Sequence, residues 1–266
     1  MSTKRRKHDP EDIKRIKILR LIDDDFMRIF FDGYIEGAEL LLKVILDRDD
    51  IKVDDVRTQK ELKNLKGRSV WLDIYATDGS GNKHDIEIQR DDRGACPKRA
   101  RYISSMVDSD MLKEGESFDD LRENYVIFIT ENDVVGMNEP IYHIDSVIRE
   151  PNVQFEDGRH IIYVNGSIRT EETALGRLMH DFYCADAKDM CYKELADRVR
   201  SFKETEKGVD SMCEILDEMR KEAVEKDRIE NARKMIKDGT ISLEKIAEFS
   251  GLSIEKVREL AGNKSA

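Results

Sequence analysis

Between Trp71 and Gln89 the chain reads as two strands joined by a glycine-rich turn, and each strand carries an acid where a core or neutral residue would be expected. With the turn centred on Ser80, Asp73 lies directly opposite Glu87. Facing carboxylates whose side-chain bases are about 5 Å apart repel one another. A fold keeps such a pair when positive charge, most often a metal ion, lies between them. The hairpin therefore leads to the expectation of a divalent-metal site.

Strict alternation puts Val70, Leu72 and Ile74 on one face of the first strand and Trp71, Asp73 and Tyr75 on the other. On the second strand Ile86 and Ile88 share a face, and Asp85, Glu87 and Gln89 share the opposite one. The competing reading is a half-exposed hairpin with its acids in water. It accounts for Asp85 and Glu87, but it would expose Trp71 and Tyr75 together with Asp73. A carboxylate-only site favours hard cations, Mg²⁺ or Mn²⁺, over zinc.

The 266 residues suffice for one good-sized domain and an appendage. Charged residues reach 39%, well above the ordinary globular share, which implies charged helices around a modest core. There is no apolar run of roughly 18 residues. No membrane span is expected, and a cytoplasmic location follows by default. The net charge of −11 argues against a broad electrostatic grip on nucleic acid. It leaves room for a local basic groove, for which Lys4 to Lys7 and Lys98, Arg99 and Arg101 are the candidates. The four cysteines, Cys96, Cys184, Cys191 and Cys213, form no CxxC pair. His180, Cys184 and Cys191 lie close together, but their spacing matches no common zinc pattern, so ordinary reduced thiols are expected.

Apolar residues recur at helical spacing from Asp23 to Arg48, with Gly33 and Gly37 as breaks. A strand candidate at 51–58 precedes the hairpin. Helix signals resume at Pro97 and run through Met111. Tyr125 to Ile129 is a continuous apolar run suited to a strand buried on both faces. Shorter strands are expected at 141–148 and 160–164, and residues 170–237 read as mostly helical. The divisions are a charged tail at 1–20, an α/β domain at 21–168, a helical extension at 169–237 and a small helical pair at 238–266.

Five segments occur in order: Asp24-Asp25-Phe26-Met27, Leu72-Asp73-Ile74, Ile86-Glu87-Ile88-Gln89, Lys98-Arg99-x-Arg101-Tyr102 and Tyr125 to Ile129. Together they resemble the PD-(D/E)XK nucleases, in the branch of recombination-promoting nucleases and transposases, over roughly residues 20–165. The resemblance implies a restriction-endonuclease-like α/β core, a mixed central sheet flanked by helices, with an α-helical C-terminal extension. It implies a Mg²⁺- or Mn²⁺-dependent DNA endonuclease, linked to recombination or mobile elements. Asp73 and Glu87 would be the metal ligands, with the backbone carbonyl of Ile88 completing the protein's share. Gln89 stands where most of the superfamily has Lys, so it can orient water or phosphate but brings no charge. Asp25 matches an acid that many members add to the site. Asp23 and Asp24 are close rivals, and any of the three also suits the first turn of a helix. Lys98, Arg99 and Arg101 would contact phosphate, while Tyr102 reads as core. The alternative is a catalytically weak nuclease-fold protein that binds DNA or another protein.

The segment from Thr240 to Leu260 reads as helix, glycine turn, helix. Ser242 and Ser253 suit N-caps, and Ala247, Gly251 and Val257 fall at helix-turn-helix spacing. The second helix offers Glu255, Lys256, Arg258 and Glu259, a nearly neutral set, which favours packing on the preceding helix over base reading. Cutting both strands of a duplex takes two sites, which a homodimer joined through the charged helix around 209–237 would supply.

Overall fold

The hairpin forms in the expected register and sits inside a larger sheet. The structure, a computed structural model, describes residues 9–64 and 67–262. The basic stretch Lys4 to Lys7 lies outside these. Six strands, β1 (Val53–Leu62), β2 (Val70–Asp78), β3 (Lys83–Gln89), β4 (Asn124–Thr130), β5 (Ile141–Ile144) and β8 (Arg159–Asn165), pair in the order β1-β2-β3-β4-β8-β5. The β1–β2, β2–β3 and β8–β5 pairs are antiparallel, and β3–β4 and β4–β8 are parallel. A two-stranded ribbon, β6 (Val147–Ile148) with β7 (Val153–Gln154), lies apart from this sheet. The expected strand at 141–148 is thus split, because its second half pairs with β7 and not with the main sheet.

Helix α4 (Pro97–Met111) supplies the crossover that the parallel β3–β4 pair requires. Pro97 starts it in the first turn, where no backbone donor is needed. Ala100, Ile103, Met106 and Val107 share one stripe and meet Tyr75, Val126, Phe128, Ile161 and Tyr163 of the sheet. Every residue of β4 is buried, as the apolar run at its centre predicts for a strand covered on both faces. Helices α2 (Asp24–Phe31) and α3 (Ile35–Leu46) are separated at Gly33, whose φ is +62°. Gly37 lies within α3 and breaks nothing. A Cβ there would fall 2.3 Å from the Tyr34 ring, so its role is close packing.

The described residues divide into two compact units. One runs from Lys17 to Lys203 and holds the sheet. It also contains α5 (Ala174–Tyr183) and α6 (Lys193–Glu204), which the sequence reading assigned to a separate extension. Their place follows from packing: Phe182 of α5 stacks on Phe31 of α2, with ring centres 6.3 Å apart. The Ile22 N–H also donates to the Phe182 carbonyl at 3.0 Å. Through these contacts the apolar face of α5 packs into the unit that holds the sheet.

The other unit joins the chain up to Ile16 with the chain from Glu204 onward. In it, Ala232 of the long helix α7 (Glu206–Asp238) packs against Ile246 of α8 (Leu243–Ser250), Leu252, and Val257 of α9 (Ile254–Gly262). Ser242 and Ser253 cap α8 and α9 as expected, accepting from the N–H groups of Lys245 and Lys256. Gly251, at φ +69°, turns the chain between them.

Candidate metal centre

The site forms where two ladders of the hairpin region are interrupted. The β1–β2 pairing runs through Thr58↔Ile74 and resumes at Lys60↔Leu72, leaving Gln59 and Asp73 unpaired. Gln59 takes φ +54°, a left-handed conformation unusual for a side chain of this kind. Such backbone persists where its surroundings over-determine it, and it clusters at functional sites. Its amide donates to Asp73 Oδ1 at 3.3 Å. The β2–β3 pairing ends at Ile74↔Ile86, and the next step of the same register brings Asp73 to Glu87. There the side chains replace the ladder. Asp73 Oδ2 accepts from the Ile88 N–H at 3.0 Å, and Glu87 receives the Asp73 N–H.

The interruption also corrects the alternation expected of β2. Leu72 and Tyr75 pack into the same cluster under α4, and Trp71 is 56% exposed. One residue dropped from each strand resets the facing of everything before Asp73. Tyr75 is therefore buried without Trp71, contrary to the sequence expectation.

Three acids converge in this interior. Asp73 is 9% exposed, and Asp85 and Glu87 are fully buried. The half-exposed hairpin is thereby excluded. Both oxygens of Asp85 and Oε1 of Glu87 have no hydrogen-bond partner. Burial, then the neighbouring Asp73 charge, pushes the Glu87 carboxyl up to about 8. Burial also raises Asp73, against the donated Ile88 N–H, and raises Asp85 well above the usual carboxylate range. Arg28 opposes this at Asp73, and Arg99 opposes it at all three acids. Its guanidinium donates to Glu87 Oε2 and, at 2.7 Å, to the Gly94 carbonyl. Arg99 is thus engaged with a candidate ligand while part of its side chain stays exposed.

The remaining candidates distribute as follows. Gln89 donates to Glu87 Oε2 at 3.2 Å, so it does lie with the pair. Lys98 and Arg101 are exposed on α4, and Arg101 lines a cavity of about 670 Å³ with Pro97, Tyr142 and Tyr163. Tyr102 packs against the core and donates to the Arg68 carbonyl at 2.5 Å. Of the three acids at the start of α2, Asp23 is held by Arg20 and Arg90. The Asp24 charge raises both Asp73 and Glu87, and Asp24 is paired with Arg28 at 2.7 Å. Asp25 is partly buried beside it.

Two residues with no obvious sequence signal complete the arrangement: Gln59, and Gly94 in the turn after β3. A Cβ on Gly94 would meet Gln89 Oε1 at 2.0 Å and Arg99 at 3.5 Å. Both are ends of flexible side chains, so Gly94→Ala is expected to fold with a stability change under about 1 kcal/mol. It should displace Gln89 and lower any activity of the site about tenfold or more. Thermal melting beside a rate assay checks this pair of outcomes.

The donor set suits a hard divalent cation. It is all oxygen, it carries unpartnered buried carboxylate oxygens, and its excess negative charge is only partly offset by the half-exposed Arg99 and by Arg28. Residues 38–245 match the family model described as PD-(D/E)XK nuclease family transposase. The chain belongs to that family. No curated protein and no solved structure shows a significant match to it. The six-stranded mixed sheet flanked by helices is the fold that this PD-(D/E)XK membership entails. Nuclease- or transposase-type chemistry is accordingly the class of function of this PD-(D/E)XK chain, and no described helix is long and apolar enough to cross a membrane.

Proposed function

We propose that the protein is a Mg²⁺- or Mn²⁺-dependent DNA endonuclease that hydrolyses phosphodiester bonds at Asp73 and Glu87, in the service of recombination or mobile elements. The observation that carries the reading is the buried, under-compensated carboxylate pair at the interrupted hairpin ladder.

Asp73, Glu87 and the Ile88 carbonyl are the residues that would hold the cation. When bound, the ion supplies Lewis-acid charge at the scissile phosphate and makes hydroxide available near neutral pH. Gln59 and the Ile88 N–H fix the Asp73 carboxylate from two sides. Gln89 has an amide donor on Glu87 and a carbonyl oxygen aimed at the Gly94 turn, which suits it to orient a water for in-line attack. Because Gln89 is neutral, positive charge must come from elsewhere. Arg99, whose guanidinium donates to Glu87 Oε2, is the nearest source and would supply that charge to the phosphate. Lys98 and Arg101, exposed on the same helix, suit contacts to the nucleic-acid backbone. Of the α2 acids, Asp25 takes the additional acidic role, with Asp24, whose charge also reaches Asp73 and Glu87, as its close rival.

Supercoiled plasmid incubated with the purified protein and Mg²⁺ or Mn²⁺ tests the proposal. Nicked or linear product is expected, and a chelator should stop its formation. Retention of DNA in a gel without any cleavage would contradict it. That result favours the non-catalytic binding module, which the neutral Gln89 and the net charge of −11 also accommodate.

A further inference from the structure

At the C-terminal end of α5 the fold gathers a second donor set of different chemistry. Cys184 Sγ lies 3.5 Å from His180 Nδ1, Cys191 Sγ lies 3.7 Å from it, and Asp181 Oδ1 lies 3.3 Å from it. Tetrahedral zinc, with bonds of about 2.3 Å to sulfur and about 2.05 Å to nitrogen or oxygen, separates S and N ligand atoms by about 3.6 Å and O and N by about 3.3 Å. The three separations from Nδ1 are close to the edges of a zinc tetrahedron, but Cys184 Sγ also lies 3.9 Å from Nε2 and so sits over the ring face, and the imidazole must turn for Nδ1 to share an ion with that sulfur. We propose that His180, Asp181, Cys184 and Cys191 form a structural site for a borderline-soft divalent cation, Zn²⁺, separate from the carboxylate pair.

Local structure supports the assignment. Asp181 is fully buried at the end of α5. Its oxygens accept from the N–H groups of Cys191 and Tyr192 at 2.7 and 2.8 Å, which folds the 184–192 turn back over His180. On the far side of the ring, Glu171 Oε1 stands 3.9 Å from Nε2. At that separation it is not hydrogen-bonded, and it must close in by about 1 Å to fix the imidazole tautomer as a carboxylate beside a metal-bound histidine does. Two sets of mutually close donors occur here, Glu171–His180–Cys191 and His180–Asp181–Cys184, and they share His180. Neither set contains both sulfurs. Binding one ion through both requires the exposed Cys191 side chain to swing inward about its single flexible bond.

Thiol ligands give up their protons to zinc, so binding should weaken on acidification. The ion would clamp α5 to the segment that leads into α6. It would also brace α2, whose approach is tied to Phe182 through the Ile22 N–H. The sequence reading took these cysteines as ordinary thiols because His180-x₃-Cys184-x₆-Cys191 is not a familiar zinc spacing. The turn held by Asp181 is what closes the gap.

The test uses the full chain, purified under reducing conditions, for total zinc and for cobalt substitution. The site predicts about one zinc per chain and, with Co²⁺, an intense near-ultraviolet thiolate-to-metal absorption. Cys191→Ser and His180→Asn should each weaken binding about tenfold or more, while Asp73→Asn and Glu87→Gln leave the cobalt spectrum unchanged. Three results would overturn the proposal. One is zinc below about a tenth of an equivalent with no thiolate band in the wild type. The others are a band that survives Cys184→Ser/Cys191→Ser, and a Cys184–Cys191 disulfide in the mass of the native protein. Because the wild-type spectrum is read first, misfolding of a variant does not protect the idea.

Discussion

Glu87→Gln and Asp73→Asn should each reduce DNA cleavage by about three orders of magnitude, and Glu87→Gln should at the same time make the cation-free protein more stable. The two effects have one cause. Glu87 is fully buried, one of its oxygens has no partner, and its carboxyl is pushed up to about 8 by burial and by Asp73. A fold optimised for stability alone would not keep that group. Removing one member of a buried ion pair ordinarily destabilises, because the other charge is left behind in the interior. Here the member left behind is Arg99, whose side chain is 36% exposed and which keeps the Gly94 carbonyl as acceptor. The isosteric amide therefore removes repulsion without stranding a charge, and a gain of about 1–3 kcal/mol is expected. Denaturant unfolding with and without chelator measures the stability change, and single-turnover cleavage measures the rate. A Glu87→Gln protein that cleaves at the wild-type rate, or that is clearly less stable when cation-free, would contradict this account of the pair.

The cation-free protein should lose stability as pH rises from about 4.5 to about 8, and saturating Mg²⁺ or Mn²⁺ should remove most of that loss. The direction follows from proton counting. Glu87 has its folded value near 8 against an ordinary 4.5. Between those values the folded chain holds a proton that the unfolded chain has released. Stability is then fully present below about 4.5 and falls through the window, by at most about 1.4 kcal/mol per pH unit for each such proton. The raised Asp73 and Asp85 carboxyls act in the same direction. Groups of opposite sign lie outside the window. Glu39 and Asp78 are lowered to about 2, Glu39 by bonds from Lys43 and Lys52 and Asp78 by His84, so their stabilisation is lost only in strong acid. Lys203, lowered to about 8 by burial, begins to matter at the upper edge. A bound cation restores the ionised carboxylates and adds about 2.7 kcal/mol at a hundred times its dissociation constant. Melting curves across this range, with and without cation, give both slopes. A cation-free stability that rises from pH 5 to 8 would show that the acids are not burdened as described.

Much of this centre is legible in the sequence because strands and helices announce themselves by period. The hairpin register follows from its turn, and it brings Asp73 to Glu87 as expected. Helix α4 begins at Pro97 and ends at Met111, and the apolar run marks β4. What the sequence does not disclose are features that exist only across strands or between segments. Nothing around Gln59 signals a left-handed residue inside a strand. That single conformation sets Asp73 apart from the ladder and separates the fates of Trp71 and Tyr75. Three consecutive acids at the start of α2 are equivalent to a local reading, and only the packed helix shows that Asp23 is held by Arg20 and Arg90 while the Asp24 charge reaches Glu87. Arg99 is visible in the sequence as a candidate phosphate contact on α4, while its bond to Glu87 on β3 is not. In the same way the acidity of Asp85 looks solvated from alternation alone, yet the residue is fully buried. His180, Cys184 and Cys191 converge through a turn whose organiser, Asp181, bonds to backbone and leaves no pattern in the spacing.

The most direct measurement of the central claim is a calorimetric titration of Mg²⁺ into the chelator-stripped protein, run at neutral pH in two buffers of different ionisation heat. Magnesium prefers oxygen donors, so the thiol cluster does not compete. The carboxylate pair predicts saturable binding of one or two ions per chain, proton release that appears as a buffer-dependent heat, and loss of both in Asp73→Asn and Glu87→Gln. Binding that is absent in the wild type, or unchanged in both variants, would contradict the assignment of Asp73 and Glu87 as a metal centre.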